Sequence, residues 1–304
     1  MTRTLKLALL IATATLSLSA CAAQDDPSAA SQASNTEPMP TSSEGAEGMS
    51  ALTTKKPVQA ATSIGSASPE NANIAGVATL VQVNEPYNAF LKTYVKPTDG
   101  VNLVAYQDVT DTDAAALETY IENLANIEIS EFSDAELMAY WFNLYNAVTL
   151  DLILDNYPVD SIKDISDPWS QKLVNVRGAT MTLDEIEHET LRENYDEPRI
   201  HFAVNCASVG CPNLKTTAWV AETLEADLQQ AAKDYISSPR GIMVNDGLIR
   251  ASEIFDWYEE DFGENDEEVL TYLAQFASGE KKTAMQNANE IDGYEYDWSL
   301  NIAN

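Results

Sequence analysis

Apolar residues recur at helical spacing in several stretches of the chain. After Asn84-Glu85-Pro86, with Pro at a first-turn position, Tyr87, Phe90, Leu91 and Tyr94 share one face and predict a helix. Residues 96–100 read as a turn and 101–107 as a short strand. Leu117, Tyr120, Ile121 and Leu124 predict a second helix over 113–127. The third, 134–156, opens on a capping box of Ser133 and Glu136 and stops before Pro158. Its segment YWFNLYNAVTLDLIL is apolar nearly all round, which predicts a central, buried helix.

Beyond it, 173–177 and 179–182 read as strands around Gly178, and Thr182 with Glu185 forms another capping box, starting a helix that carries Ile186, Glu187, His188 and Leu191. Residues 199–204 read as a strand, 205–212 as a loop of small residues, and 218–236 as a long amphipathic helix. Asn245-Asp246-Gly247 between 242–244 and 248–250 is a hairpin signal, and 266–277 reads as the last helix. No internal repeat is visible. The pattern predicts one α+β domain with a mainly helical N-terminal half and a small mixed or antiparallel sheet.

Composition narrows the function classes. Lys plus Arg number 17 against 48 Asp plus Glu, a net charge of −31, which excludes a nucleic-acid binder dependent on clustered cations. The same balance disfavours docking on anionic lipid. With 45% apolar residues the chain can bury a core, and two histidines rule out a His-rich metal cage.

The N-terminus supplies an address. Arg3 and Lys6 precede an apolar run over 7–18, too short to span a bilayer that needs roughly 20 residues. Leu18-Ser19-Ala20-Cys21 resembles the bacterial lipobox, which implies acylation of Cys21 and anchorage to a membrane surface by its acyl chains. Ala22 follows, which favours the outer membrane, with the chain facing the periplasm. Residues 1–20 thus read as a signal peptide, 21–83 as a lipidated cysteine and tether rich in Ala, Ser, Thr and Pro, and 84–304 as the globular domain.

Five ordered blocks carry a resemblance: YWFNLYNAVTLDLIL (140–154), IEHETLR (186–192), HFAVNCASVGCPNL (201–214), IFDWYEEDFG (254–263) and YDWSLN (296–301). Over about residues 84–301 the chain resembles the domain of unknown function family 547. That resemblance implies no assigned activity. A distant likeness in layout to papain-like or transglutaminase-like thiol enzymes is fold analogy only.

Beyond Cys21, His188, His201, Cys206 and Cys211 are the only His and Cys in the chain, and they fall within 24 residues. Four readings stay open, the plainest being that these residues merely pack or hydrogen-bond. In an exported chain Cys206 and Cys211 would form a disulfide that pins the loop. Alternatively Cys206 is the nucleophile of a hydrolase or acyltransferase acting on an amide or ester, with His201 or His188 as base and Asn143 or Glu187 orienting it. That reading needs a bend after the strand and a chain order unlike papain's. Another reading is zinc bound by His188, His201, Cys206 and Cys211, although Cys-x4-Cys is wider than the usual knuckle.

Asn143 and Asn146, on the buried helix, are expected to bond backbone inside the fold or to line a pocket. The acid-dense stretch 256–268 lacks the ligand order of an EF-hand loop and reads as a solvated face around Phe255, Trp257 and Phe262. No Walker or dinucleotide motif is present, and no cofactor is expected. The sequence therefore predicts a membrane-anchored lipoprotein with a partner- or small-molecule-binding domain; the alternative is the thiol enzyme.

Overall fold

Residues 74–303 are described by a computed structural model. The signal segment, Cys21 and residues 22–73 of the tether lie outside the described residues. Helix α1 spans Ile74–Tyr94 and runs through Pro86, earlier than its apolar spacing suggested. Asn84 is no helix start: it is buried, and its side-chain Oδ1 accepts from Tyr120 Oη at 3.0 Å. The missing N–H of Pro86 removes one backbone bond, and packing of Tyr87 on Tyr120, centroids 4.8 Å apart, holds the helix together across the gap.

Strands β1 (Val95–Thr98) and β2 (Val101–Val104) form an antiparallel hairpin. Asp99 (φ 49°) and Gly100 (φ 84°) turn it, the two positive angles of a type I′ connection. The strand expected to reach residue 107 ends at Val104, because Tyr106–Asp108 coils into a 3-10 turn. Helices α2 (Asp111–Ala125) and α3 (Asp134–Asn156) follow. The Ser133–Glu136 capping box is formed, and α3 is buried on all sides, as its uniform apolarity predicts. Each fully buried Leu or Phe on α3 stabilises the domain by roughly 2–3 kcal/mol.

Strands β3 (Val174–Val176) and β4 (Ala179–Met181) pair around Gly178. The Thr182–Glu185 box is also formed: Thr182 N–H donates to Glu185 Oε2 at 2.7 Å, and Glu185 N–H donates to Thr182 Oγ1 at 3.0 Å. The helix it opens, Glu185–Arg192, is π-helical. The expected strand at 199–204 is instead a 3-10 turn, Pro198–Phe202. Pro198 fixes the first-turn φ, and the Glu197 carboxylate accepts from Arg199 N–H, so the sequence caps a helix there. Every residue from Arg199 to Phe202 is buried, leaving no alternation of faces to sustain a strand.

The long helix begins later than its amphipathic pattern suggested. Asn143 grips the backbone at Trp219, and α4 runs Leu224–Ser237 after a short 3-10 turn, Ala221–Thr223. Strands β5 (Ile242–Asn245) and β6 (Leu248–Ser252) make the expected hairpin, with β7 (Gly293–Glu295) added parallel to β6. Short helices α5 (Ile254–Trp257) and α6 (Glu259–Phe262) precede α7 (Asp266–Leu273) and α8 (Gly279–Asn287). Among the described residues the sheets are small and none closes into a barrel, so the fold is α+β. No helix among the described residues is long and apolar enough to cross a membrane.

Two apolar cores result. One surrounds α3, with α1, α2 and the β3–β4 hairpin; the other gathers Phe202, Phe255 and Phe262 with Tyr235, Ile236, Val269 and Leu273. The 3-10 turn Pro198–Phe202 passes between them, Ile200 joining the first core and Phe202 the second. His201 is thereby held between the two.

Candidate functional site

His201 is buried, and its imidazole stacks on the Tyr258 ring with centroids 4.1 Å apart and planes inclined by 24°. Phe262 closes another side at 5.4 Å. Nε2 lies 2.6 Å from Asp261 Oδ2, and Nδ1 faces Glu187 Oε1 at 3.9 Å. Both ring nitrogens therefore point at carboxylates.

Asp261 is shared. Arg192 donates from Nε to Oδ2 at 2.6 Å and from Nη2 to Oδ1 at 3.1 Å, a forked pair of the strong, charge-assisted type. Burial works against the Asp261 carboxylate, but the bonds from His201 and Arg192 outweigh it and bring its pKa down to about 2. Arg192 also lies over the Tyr258 ring, 4.9 Å from its centroid, and its Nη1 sits 3.2 Å from His188 Nδ1. His188 Nε2 faces Asp184 Oδ1 at 3.9 Å, and burial raises the Asp184 carboxyl.

Glu187 is buried beside Tyr145 and Tyr258. Burial first, then the negative charge of Glu187, pushes both phenols well above the ordinary tyrosine range. The result is a desolvated network: carboxylates of Asp184, Glu187 and Asp261, the Arg192 guanidinium, two imidazoles and two phenols.

The cysteines sit elsewhere. Cys206 and Cys211 are joined by a disulfide, with Cα atoms 6.4 Å apart, inside the span such bridges occupy. Cys211 is buried and Cys206 half-buried. Cys206 N–H donates to Cys211 Sγ at 3.0 Å, and Tyr296 Oη lies 3.0 Å from Cys211 Sγ and 3.2 Å from Cys206 Sγ. Burial raises the Tyr296 phenol well above its ordinary range, with the charges of Tyr235 and Glu187 adding to it.

The sequence-predicted residues thus divide into three places. His188, His201 and Glu187 share one network. Cys206 and Cys211 face each other under Tyr296, and no hydrogen bond or ion pair joins either imidazole to either sulfur among the described residues. Asn143 belongs to neither group: Nδ2 donates to Trp219 O at 2.9 Å while Oδ1 accepts from Trp219 N–H at 2.8 Å, which occupies the amide that would have oriented a catalytic base. Asn146 does the same for Ala203 O and Asn205 N–H. The zinc set His188, His201, Cys206 and Cys211 is not assembled. Among the described residues, the group of ligating side chains whose atoms lie within 4.8 Å of one another is Glu118, Asp151 and Asp155, on α2 and α3.

Sequence reasoning missed Asp261, Arg192, Tyr258 and Tyr296. The stretch 256–268 is not only a solvated face, because Asp261 turns inward to His201 and Arg192. Arg192 stands inside the block IEHETLR, Tyr258 inside IFDWYEEDFG and Tyr296 at the head of YDWSLN, so the blocks themselves were the available signal.

A separate small recess of about 10 Å³, room for about one water, lies where α1 and α3 meet residues 219–222; Asn84, Glu136, Tyr140, Asn143, Trp219 and Glu222 line it. Tyr140 Oη and Trp219 Nε1 are buried without a hydrogen-bond partner inside the protein. Lys215 Nζ lies over the Trp219 ring, 4.3 Å from its centroid.

Comparison with known proteins gives one match: residues 129–236 fit the family model described as "Protein of unknown function, DUF547". It spans three of the five blocks, 140–154, 186–192 and 201–214. No curated protein and no solved structure matches the chain.

Proposed function

We propose, for a chain whose residues 129–236 match the DUF547 family model of unknown function, that it is an envelope lipoprotein presenting a ligand- or partner-binding domain. In this reading Cys21 carries the acyl anchor to the outer membrane, residues 22–73 serve as the tether, and the domain faces the periplasm. The observation that carries the binding reading is the pairing of the cysteines. A thiol hydrolase needs a free thiolate beside a base, whereas Cys206 is bonded to Cys211 and His201 is closed between Asp261 and Glu187. The bridge ties the loop that follows the His201 turn.

The test is a site-resolved thiol count on native, unreduced full-length protein. No reactive thiol at Cys206 or Cys211 supports the binding reading. One reactive thiol, lost in Cys206→Ala and kept in Cys211→Ala, overturns it and restores the thiol enzyme. The address is tested in the same cells: Cys21→Ala should move the protein from the membrane to the soluble fraction, and a wild-type chain that is already soluble refutes the anchor.

A further inference from the structure

Beyond the binding reading, the surroundings of the bridge bear on whether it can open. The loop is held by contacts that do not depend on it. Val209 N–H donates to Ser299 O and Gly210 N–H to Asp297 O, each at 2.8 Å, and Asn301 N–H donates to Ala207 O at 2.9 Å. Asn205 Nδ2 donates to Pro212 O at 2.7 Å, closing the loop across its base. The Arg240 guanidinium donates to Val209 O at 2.9 Å and also to Cys211 O. These bonds hold the loop in place whether or not the sulfurs are joined.

The two sulfurs are also unequal. Cys206 is half-buried, with Ser208 Oγ 3.6 Å from its Sγ. Cys211 is buried, and its Sγ is the one that receives the backbone N–H of Cys206. Tyr296 Oη reaches both, and the elevation of its phenol keeps that group protonated and able to donate. An exchange reaction runs fastest when the leaving sulfur is stabilised as a thiolate and the attacked sulfur can be approached. Cys211 fits the first role and Cys206 the second.

We infer that Cys206–Cys211 is an exchangeable disulfide that accepts two electrons from a protein dithiol, with Cys206 as the attacked sulfur and Cys211 as the leaving one. A partner thiolate attacks Cys206 Sγ. The new sulfur–sulfur bond forms there as the Cys206–Cys211 bond breaks, and the electron pair leaves on Cys211 Sγ, held by Cys206 N–H and Tyr296 O–H. The partner's second thiol, deprotonated, then attacks its own sulfur in the mixed disulfide and expels Cys206 as a thiolate. Both cysteines take up a proton. The partner leaves oxidised to a disulfide, and this chain is left as a dithiol.

The test treats oxidised full-length protein, under native conditions, with an excess of dithiothreitol and separately with a reduced protein dithiol, following alkylation of the Cys206 and Cys211 peptides by mass. Both reductants should open the bridge with the near-ultraviolet circular dichroism retained. Cys206 should alkylate about tenfold faster than Cys211. Against a single-cysteine form of that protein, its second thiol replaced by Ser, the oxidised chain should be caught as a mixed disulfide at Cys206 once the released Cys211 thiol is alkylated. Tyr296→Phe, which removes one hydrogen bond to the leaving thiolate, should slow opening about tenfold. A bridge that resists both reductants until the protein is denatured overturns the inference. So does reduction that abolishes the native circular dichroism, or a mixed disulfide at Cys211 as abundant as the one at Cys206. Should Tyr296→Phe not fold, the alkylation order in the wild-type chain decides.

Discussion

His201 Nε2 and Asp261 Oδ2 lie 2.6 Å apart although 60 residues separate them in sequence. The contact joins the 3-10 turn between the two cores to the short helix α6, and Arg192 from the π-helical segment completes it from the other side. Asp261→Asn removes the negative charge that Arg192 and His201 share and leaves Arg192, only 17% exposed at its side chain, without its forked partner. Breaking a largely desolvated pair of this kind costs about 3 kcal/mol. The effect has a defined pH dependence. The Asp261 pKa falls from 3.8 unfolded to about 2 folded, so its contribution is complete above pH ~4 and fades as the pH drops toward 2. Denaturant unfolding should show the full gap between wild type and Asp261→Asn at pH 7 and a smaller one at pH 2.5. An equal gap at both values refutes the assignment.

Asn146 holds the approach to the cysteine loop. Its amide donates to Ala203 O at 2.9 Å and accepts from Asn205 N–H at 2.8 Å, deep inside the domain. Asn146→Leu matches the volume but leaves both backbone groups buried and unpaired, at a cost of about 2–4 kcal/mol. The midpoint of denaturant unfolding should fall accordingly. A loss below about 0.5 kcal/mol means that other groups satisfy these atoms.

The parts of the fold with local causes were legible before any coordinates. The Ser133–Glu136 and Thr182–Glu185 boxes, the buried helix between residues 134 and 156, and the hairpin at Asp246-Gly247 each rest on neighbours in sequence, and all are formed. The errors fell where tertiary contacts override local pattern. Residues 199–204 look like a strand because Ile200, Phe202 and Val204 alternate, but Pro198 and the Glu197 cap wind the turn into a 3-10 helix. The amphipathic run reads as a helix from residue 218, yet the Asn143 amide holds the backbone of Trp219 outside α4.

The site divides in the same way. Within the 188–211 cluster, His188 and His201 share a network with Glu187, while Cys206 and Cys211 pair with each other. Asp261 and Tyr296 come from segments 60 and 90 residues beyond His201 and Cys206. Nothing in the local spacing of an acid-rich run distinguishes an aspartate that turns inward from its solvated neighbours.

Gly210 sits where the C-terminal segment crosses the cysteine loop. A Cβ there would fall 2.9 Å from Asp297 N and 3.0 Å from the Tyr296 ring, with backbone as the nearest obstacle. Gly210→Ala should therefore displace Tyr296 from the sulfurs and destabilise the domain by about 1–3 kcal/mol, the usual range for overpacking. Thermal unfolding reads the stability, and Tyr296 hydrogen bonding can be followed by ultraviolet resonance Raman. A variant with unchanged values on both would show that the segment yields without cost.

Asp151 presents the opposite electrostatic case to Asp261. It sits on α3 facing Asp155 and Glu118, the last from α2. Burial first, then the charges of Asp155 and Glu118, raises its carboxyl from 3.8 to about 7. A carboxyl raised in the folded state favours folding below its unfolded pKa of about 4, and that contribution is lost as the pH climbs through 7. Above pH 7 the ionised group is a net burden on the α2–α3 contact. Asp151→Asn keeps the shape and removes the charge, so it should stabilise the domain at pH 8 by roughly 1 kcal/mol after allowance for solvent screening. That corresponds to a rise in Tm of about 2–4 °C for a domain of this size. At pH 4 the two proteins should unfold within error of each other, since the wild-type carboxyl is then already neutral in the folded state. Scans at both pH values decide the matter: a variant less stable at pH 8 means that the ionised Asp151 is held by favourable contacts, and the crowding of the three carboxylates carries no strain.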